Sequence, residues 1–382
     1  MRNALLFGAA LACATAVVTA ANDSSGAPPG LILEGQRLFQ QGTFGGNGRT
    51  CETCHSAGTG TVSPADAEKR FQQNPDDPLF RHDGSDDGQG NGSSRMRTDA
   101  TVLVTIALAA NVSLLEDPDA RTVTVRRAVA TTLNSPALDE QIMLDGRQPN
   151  LESQAAGAIQ DHAQGVVPTF ASLHAIAAFQ KTNAFFTSPE VRRFALENGP
   201  APELPKGQTA SEKRGRRFFE DVPPDPSDGF KPGLCAHCHS GPLLNKTNEF
   251  AKDFIGLPIP AGTRFSNVGV SEFNTANNPK HTFVFNKGTP QEAQIESPDL
   301  GRAMVTGQLE APVPLLDQVN SFKISPLRGI SRTAPYFHDN NAKTLEDVAA
   351  HYALFFNVVT GGGIVLTPQD QADIVAYMKL LK

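Results

Sequence analysis

Hydrophobic positions recur at helical spacing in four places along the chain, and the four places form two matching pairs. Gly35-Gln36-Arg37-Leu38-Phe39 sets two apolar residues beside a glycine and polar neighbours, and Gly215-Arg216-Arg217-Phe218-Phe219 repeats the pattern. Each predicts a short amphipathic helix whose glycine admits close contact with a second helix. Ser211 is the expected N-cap of the later one. Phe170, Leu173, Ile176, Ala177 and Phe179 mark the apolar face of a closing helix. Ile374, Val375, Met378 and Leu381 mark another, opened by Thr367 as cap and Pro368 at its first position. An opening and a closing helix thus occur twice, and the Pro-rich stretch from Gly199 to Pro205 reads as the linker between them.

One further apolar run, Ala4 to Val18, is too short for a membrane span. Arg2 precedes it and Val18-Thr19-Ala20 follows with small residues, so residues 1–20 read as a signal peptide and the mature protein as periplasmic. No later segment resembles a span. With 382 residues the chain is long enough for two modest domains, here 21–200 and 201–382. A net charge of -7 gives no sign of a nucleic-acid or anionic-membrane partner. The 33 glycines and 28 prolines suggest long ordered loops between short helices.

Cysteine usage sharpens this picture. Of five cysteines, Cys13 lies in the expected signal peptide, where Ala10-Leu11-Ala12 has no leucine at the place a lipoprotein would carry one. The other four form Cys51-Glu52-Thr53-Cys54-His55 and Cys235-Ala236-His237-Cys238-His239. Both are C-x-x-C-H, the attachment motif of a c-type haem. Thiols three residues apart lie on one side of a helical turn, within reach of the two vinyl groups of one porphyrin, and the following histidine ligates iron from the proximal side. Zinc would need the four thiols to converge, and a redox dithiol would not need histidine at that place twice. His237, inside the second motif, is expected to be exposed or to stand behind the ligands. Opening helix, motif, loops and closing helix is the plan of a cytochrome c. The expected fold is therefore mainly α, with two cytochrome c-like domains, each carrying a covalent haem, joined by extended loops.

Several segments, in order, resemble the bacterial di-haem cytochrome c peroxidase and MauG superfamily. Leu144-Asp145-Gly146-Arg147 followed by Glu152-Ser153-Gln154-Ala155 is similar to its W-D-G-R…E-Q-A segment. Phe265 to Gly269 resembles F-x-N-x-G, and Asp299-Leu300-Gly301-Arg302 with Thr306-Gly307 resembles D-x-G-R…T-G. Phe322 to Asn340 resembles its F-K-x-P-x-L-R…T-A-P-Y-F-H-D-G segment, and Thr344 to Val348 its T-L-E-E-x-V. The resemblance implies an electron-accepting haem on His239 and a peroxide-binding haem on His55. It also implies a calcium ion between them, held by Asn134 and by the backbone of Thr333 and Pro335, although Asn134 could instead cap the turn before Pro136. Family members are often homodimers.

By the same resemblance, the position of the second axial ligand, methionine in the peroxidases, is Tyr352, as in MauG-like members, with His351 as a rival. In the loop from Ser56 to Ala100, His82 and Met96 are the obvious ligands for the first iron, and neither is expected to bind it. Arg302 and Arg328 are candidates for the haem propionates, since guanidinium groups pair with carboxylates, and His338 for hydrogen bonding around the second haem. The sequence departs from the family at three positions. Leu144 replaces the tryptophan between the haems, and the chain has no tryptophan at all. Asn340 replaces a glycine, which is tolerable because asparagine adopts left-handed backbone. Gln154 matches the distal glutamine, but Gln164 stands where the distal glutamate belongs, and an amide is no base. Asp161 or His162 could take over, and histidine titrates in a useful range.

The implied activity is reduction of hydrogen peroxide at the His55 haem, with electrons from a small cytochrome c or cupredoxin. Two alternatives remain. One is MauG-like oxidation of a protein or organic substrate through a high-valent di-haem state. The other is a non-enzymatic electron carrier.

Overall fold

The computed structural model describes residues 27–182, 186–254, 259–273, 278–309 and 318–382. Residues 1–20, read from sequence as a signal peptide, lie outside the described residues, Cys13 included. Helices dominate, and the two predicted pairs are present. The opening helices are Pro29–Gln41 and Ala210–Arg216, the second running on into a tighter turn, Arg217–Phe219. The closing helices are Phe170–Thr182 and Pro368–Met378.

Each opening helix packs on its own closing helix, and the predicted glycine sets the distance. A Cβ on Gly35 would stand 1.9 Å from the Ala175 carbonyl oxygen and 2.8 Å from Phe179 Cβ. A Cβ on Gly215 would stand 1.9 Å from the Asp373 carbonyl oxygen and 2.8 Å from Tyr377 Cβ. The crossings are the same contact made twice. Phe39, Ile176 and Phe179 fill the core beside the first, and Phe219, Tyr377 and Met378 beside the second.

Thr367 caps the last helix as expected, its side chain accepting from the Asp370 N–H, with Pro368 at the first position. The cap of the Ala210–Arg216 helix is Thr209, not Ser211. Thr209 accepts from the Glu212 N–H and Glu212 accepts from the Thr209 N–H, a reciprocal pair that satisfies two orphan donors. Ser211 instead donates to Asp373 at 2.5 Å and ties the opening helix to the closing one.

The loops are less featureless than expected. Thr101–Ala107 and Thr122–Ala128 form an antiparallel pair with alternating burial. Val112–Leu114, His281–Phe285 and Ala293–Ser297 form a three-stranded sheet with the middle segment at its centre. Their inward faces, including Val104, Ile106, Val125, Phe283 and Phe285, make a third core. This sheet draws residues from both sides of the 199–205 stretch. That stretch itself has neither helix nor strand, yet it is held: Arg328 donates to the Pro202 carbonyl at 2.7 Å and the Tyr377 hydroxyl to the Pro205 carbonyl at 2.9 Å.

Candidate functional site

The two C-x-x-C-H motifs share one local geometry. The His55 peptide N–H donates to the Cys51 carbonyl at 3.0 Å, and that of His239 to the Cys235 carbonyl at 2.8 Å. Each imidazole donates from Nδ1 to a carbonyl five residues on, His55 to Gly60 and His239 to Leu244, both at 2.8 Å. A carbonyl can only accept, so Nδ1 carries the proton and Nε2 keeps its lone pair for a metal. Burial lowers both imidazole pKa values, that of His239 to about 4, which favours the neutral ligating form. None of the four cysteines is paired in a disulfide.

Beside each motif lies an apolar cleft. The first, counted with the solvent at its mouth, spans about 1050 Å³ against Cys51, Cys54 and His55. The second, counted the same way, spans about 1960 Å³ against Cys235, Cys238 and His239. Protein interiors have few voids larger than a water molecule, so each opening fits a large apolar group reaching the two thiols and the histidine. His338, on the wall of the second cleft, has its Nε2 buried with no hydrogen-bond partner among the described residues, a further sign of a missing occupant. Ala128, Val129, Ala130 and Leu144 line both clefts, so one thin wall separates them.

No family model matches the chain. Cytochrome c551 peroxidase of Nitrosomonas europaea is 28% identical over 270 residues, 66% of this chain and 64% of that one. The gamma subunit of hydrazine synthase from Kuenenia stuttgartiensis is 27% identical over 191 residues, 50% of this chain and 46% of that one. The chain therefore spans about half to just under two thirds of these relatives. Among solved structures, a MauG-like protein associated with microbial copper homeostasis has the same fold, with a TM-score of 0.51 and 18% identity over 94% of this chain and 90% of that one. The chain resembles cytochrome c peroxidases in sequence and shares the fold of a MauG-like protein. Its relatives imply haem cofactors, and the two clefts fit them.

Against this superfamily pattern, the second cleft separates the two axial candidates. Tyr352, on the Leu345–Val359 helix, lines the cleft with His239 and has no hydrogen bond among the described residues. Desolvation, then the Cys238 and Cys235 thiols, push its hydroxyl pKa upward, so an ionised phenolate there needs a cation beside it. His351 faces away, its Nε2 donating to the Val268 carbonyl at 2.8 Å. His338 stacks on Phe322, ring centroids 3.6 Å apart, rather than bonding through its ring.

In the first cleft, Gln154 and His162 line the wall together with His55. Gln164 does not. It is exposed in left-handed backbone, its amide oxygen accepting from Asn47, because the chain reverses after the π-turn Ala158–His162. Asp161 is exposed too. His162 donates from Nδ1 to Asp83 at 2.5 Å, and Asp83 is paired in turn with Arg49. Neither His82 nor Met96 lines this cleft, and Met96 is buried in the strand core.

Arg302 lies over the Phe265 ring at 4.1 Å and lines neither cleft. Arg328 is spent on the Pro242 and Pro202 carbonyls at 2.6 and 2.7 Å. The cations that do line the clefts are Arg49, Arg127 and Arg147 in the first and Lys323 in the second. Asn134 is engaged at both ends of its amide, Nδ2 donating to the Arg328 carbonyl at 3.1 Å and Oδ1 accepting from the Ser188 N–H at 2.8 Å. It does not cap the turn before Pro136 with its side chain. Thr333 and Pro335 line the second cleft. His237 is fully buried, not exposed, because the chain from Asn248 closes over its carbonyl. Asp83, Arg49 and Arg127 went unnoticed in the sequence. The one available signal was the position of Arg49 just ahead of the first motif.

Proposed function

We propose that the protein is a di-haem c-type oxidoreductase that reduces hydrogen peroxide with electrons from a small cytochrome or cupredoxin. The observation that carries this reading is the unlike far sides of two like motifs. The second cleft holds Tyr352 as a ready oxygen ligand, whereas the first holds Gln154 and His162, two groups suited to orienting and deprotonating a small molecule. Cys51, Cys54 and His55 would hold one haem, and Cys235, Cys238, His239 and Tyr352 the other. Haem supplies redox-active iron at both places. Arg49, Arg127 and Arg147 offer positive charge around the first and Lys323 around the second. Gln154 hydrogen-bonds the substrate, and the apolar walls keep bulk water away. Electrons cross between the clefts by way of Ala128, Val129, Ala130 and Leu144, with no aromatic ring in that wall to hold a charge midway. Export to the periplasm, on the strength of the Ala4–Val18 run, puts the protein where a small soluble donor reaches it. Among the described residues no helix is long and apolar enough to cross a membrane.

Tyr352 also favours a second reading, oxidation of a protein or organic substrate, because a phenolate stabilises ferric iron where a thioether favours ferrous.

The test is an electronic and EPR spectrum of the haem-loaded ferric protein before and after one equivalent of hydrogen peroxide, then turnover with a reduced small donor. A high-spin signal lost on addition, followed by donor oxidation, supports peroxide reduction. Lasting spectral change with no donor oxidation supports the second reading. Two low-spin signals that ignore peroxide, in the ferric and in the half-reduced protein, reject both in favour of an electron carrier.

A further inference from the structure

We infer that the acid–base group over the first cleft is a histidine–aspartate pair, His162 with the buried Asp83, and that Arg49 locks this pair in place. The inference rests on the peroxide reading above and deepens it. Three observations meet here.

The first is orientation. His162 Nδ1 lies 2.5 Å from Asp83 Oδ2. A carboxylate accepts, so Nδ1 is the protonated nitrogen and Nε2 carries the lone pair. Nε2 has no hydrogen-bond partner among the described residues, and the side chain lines the cleft that holds Gln154 and His55. A base whose free nitrogen opens on a cleft, oriented by a carboxylate behind it, is the arrangement proton transfer requires.

The second is charge. Burial opposes ionisation of Asp83, but the hydrogen bond and charge of His162, and those of Arg49, outweigh it and hold its pKa below the ordinary value. Asp83 is therefore an anion throughout the working range. It favours the imidazolium that forms when His162 takes a proton.

The third is rigidity. Arg49 is buried, and besides Asp83 it donates to the carbonyls of Pro78, Leu79 and Arg81, and to that of His162 itself at 3.1 Å. One guanidinium thus fastens the 78–84 loop to the end of the π-turn that carries His162. Arg49 is separated from Cys51 by one residue, so the pair is indexed to the haem motif. A Cβ on Gly84 would stand 2.0 Å from the Leu79 carbonyl oxygen and 2.4 Å from Arg49 Nη2, so the loop has no room to slide.

The proton path follows. His162 Nε2 takes the proton from the peroxide oxygen nearer His55 and returns it to the farther one. The O–O bond breaks with its electron pair going to the farther oxygen, which leaves as water carrying its own hydrogen and the returned one; a haem held by Cys51, Cys54 and His55 would supply the two electrons that the nearer oxygen needs and would recover them from the donor. Two electrons from the small donor and two protons from solvent then yield the second water. Asp83 is a positioning residue that acts through His162.

Hydrogen cyanide binds ferric haem as the anion and must first lose its proton, so its association rate reports a base in the cleft without any turnover. The experiment compares the wild-type, His162→Gln and Asp83→Asn haem-loaded proteins by stopped flow across pH 5 to 9. His162→Gln alters a partly exposed side chain and keeps the Arg49–Asp83 pair, so it is the variant that must fold, as checked by far-UV circular dichroism. Its association rate is expected to fall by about 100-fold or more. Asp83→Asn is expected to fall less and to move the acid limb of the profile to lower pH, because loss of the carboxylate makes the imidazole easier to deprotonate. The other charged or titratable groups near His162 are Arg49, Arg147, Asp161 and His55, and none is altered. A wild-type rate in His162→Gln overturns the pair, whether or not the protein turns over peroxide. An acid limb that stays put in a folded Asp83→Asn protein overturns the role of Asp83. Slow cyanide binding in His162→Gln, together with no peroxide consumption by the wild type, leaves the pair standing and rejects the peroxide reading instead.

Discussion

Arg127 holds Asp299 at two points, Nε and Nη2 lying 2.7 and 2.9 Å from the two carboxylate oxygens, with both side chains buried. Its remaining nitrogen, Nη1, reaches Asp145 at 2.5 Å, and Arg147 reaches Asp145 at 2.9 Å. These residues sit beside the wall between the clefts. Arg127→Met would leave two buried carboxylates short of a partner, and breaking such a pair costs about 3–5 kcal/mol. Urea denaturation of the loaded protein should register a loss of that order.

The same cluster sets an acid limit. Burial resists ionisation of Asp145, but Arg127 and Arg147 outweigh it, so its folded pKa lies below the ordinary 3.8. Asp83 behaves alike. A carboxylate with a depressed folded pKa contributes stability that is complete above its unfolded pKa and is lost as pH falls through the folded one. Thermal midpoints should therefore be insensitive to these groups from pH 7 to about 4 and fall steeply below that. A midpoint that already declines between pH 7 and 5 would contradict this account.

Tyr352→Phe removes one oxygen from the second cleft and leaves the ring, whose neighbour Phe356 stacks at 5.9 Å. With the far side of the second iron vacated, cyanide should bind at two sites per protein instead of one, read by spectrophotometric titration. A stoichiometry unchanged at one would remove Tyr352 from the ligand set.

Gly35→Ala and Gly215→Ala force a methyl group into a backbone carbonyl. Overpacking of this kind costs roughly 1–3 kcal/mol, and because the two crossings are alike the two variants should lose similar stability in thermal melts. Loss in one variant alone would mean that the crossings are not equivalent.

Arg328→Met releases the carbonyls of Pro202 and Pro242. Hydrogen bonds to a charged group contribute about 1.5–3 kcal/mol. The variant should be cleaved within residues 199–205 much faster than the wild type under limited proteolysis, with the C-x-x-C-H clefts still able to take up haem.

What could be read in the sequence alone is what local geometry enforces. The C-x-x-C-H motifs, the Thr367–Pro368 start and the glycines at 35 and 215 each express contacts that residue type and helical spacing dictate. The choice of Tyr352 over His351 was left open by sequence, because adjacent helix residues differ by about 100° of rotation. In the structure Tyr352 lines the second cleft, whereas His351 is bonded to the Val268 carbonyl. The Ser211 error was correctable from sequence, since Thr209 and Glu212 have the spacing of a reciprocal cap.

The distal groups were of another kind. His162 and Asp83 are 79 positions apart, and Arg49 and Asp83 are 34 apart. Nothing in the polarity of Asp83 separates it from the exposed aspartates around it, because burial of a charge depends on which distant cation the fold delivers. Arg328 and Arg302 show the converse: their type suggested acidic partners, and the fold gave one to backbone carbonyls and the other to a phenyl ring. By itself the sequence determined the two C-x-x-C-H turns and the helices that frame them, because those contacts lie within a turn or repeat along the chain. The tertiary structure decided which side chains stand over each cleft, because long-range closure brings charges together that no local pattern links.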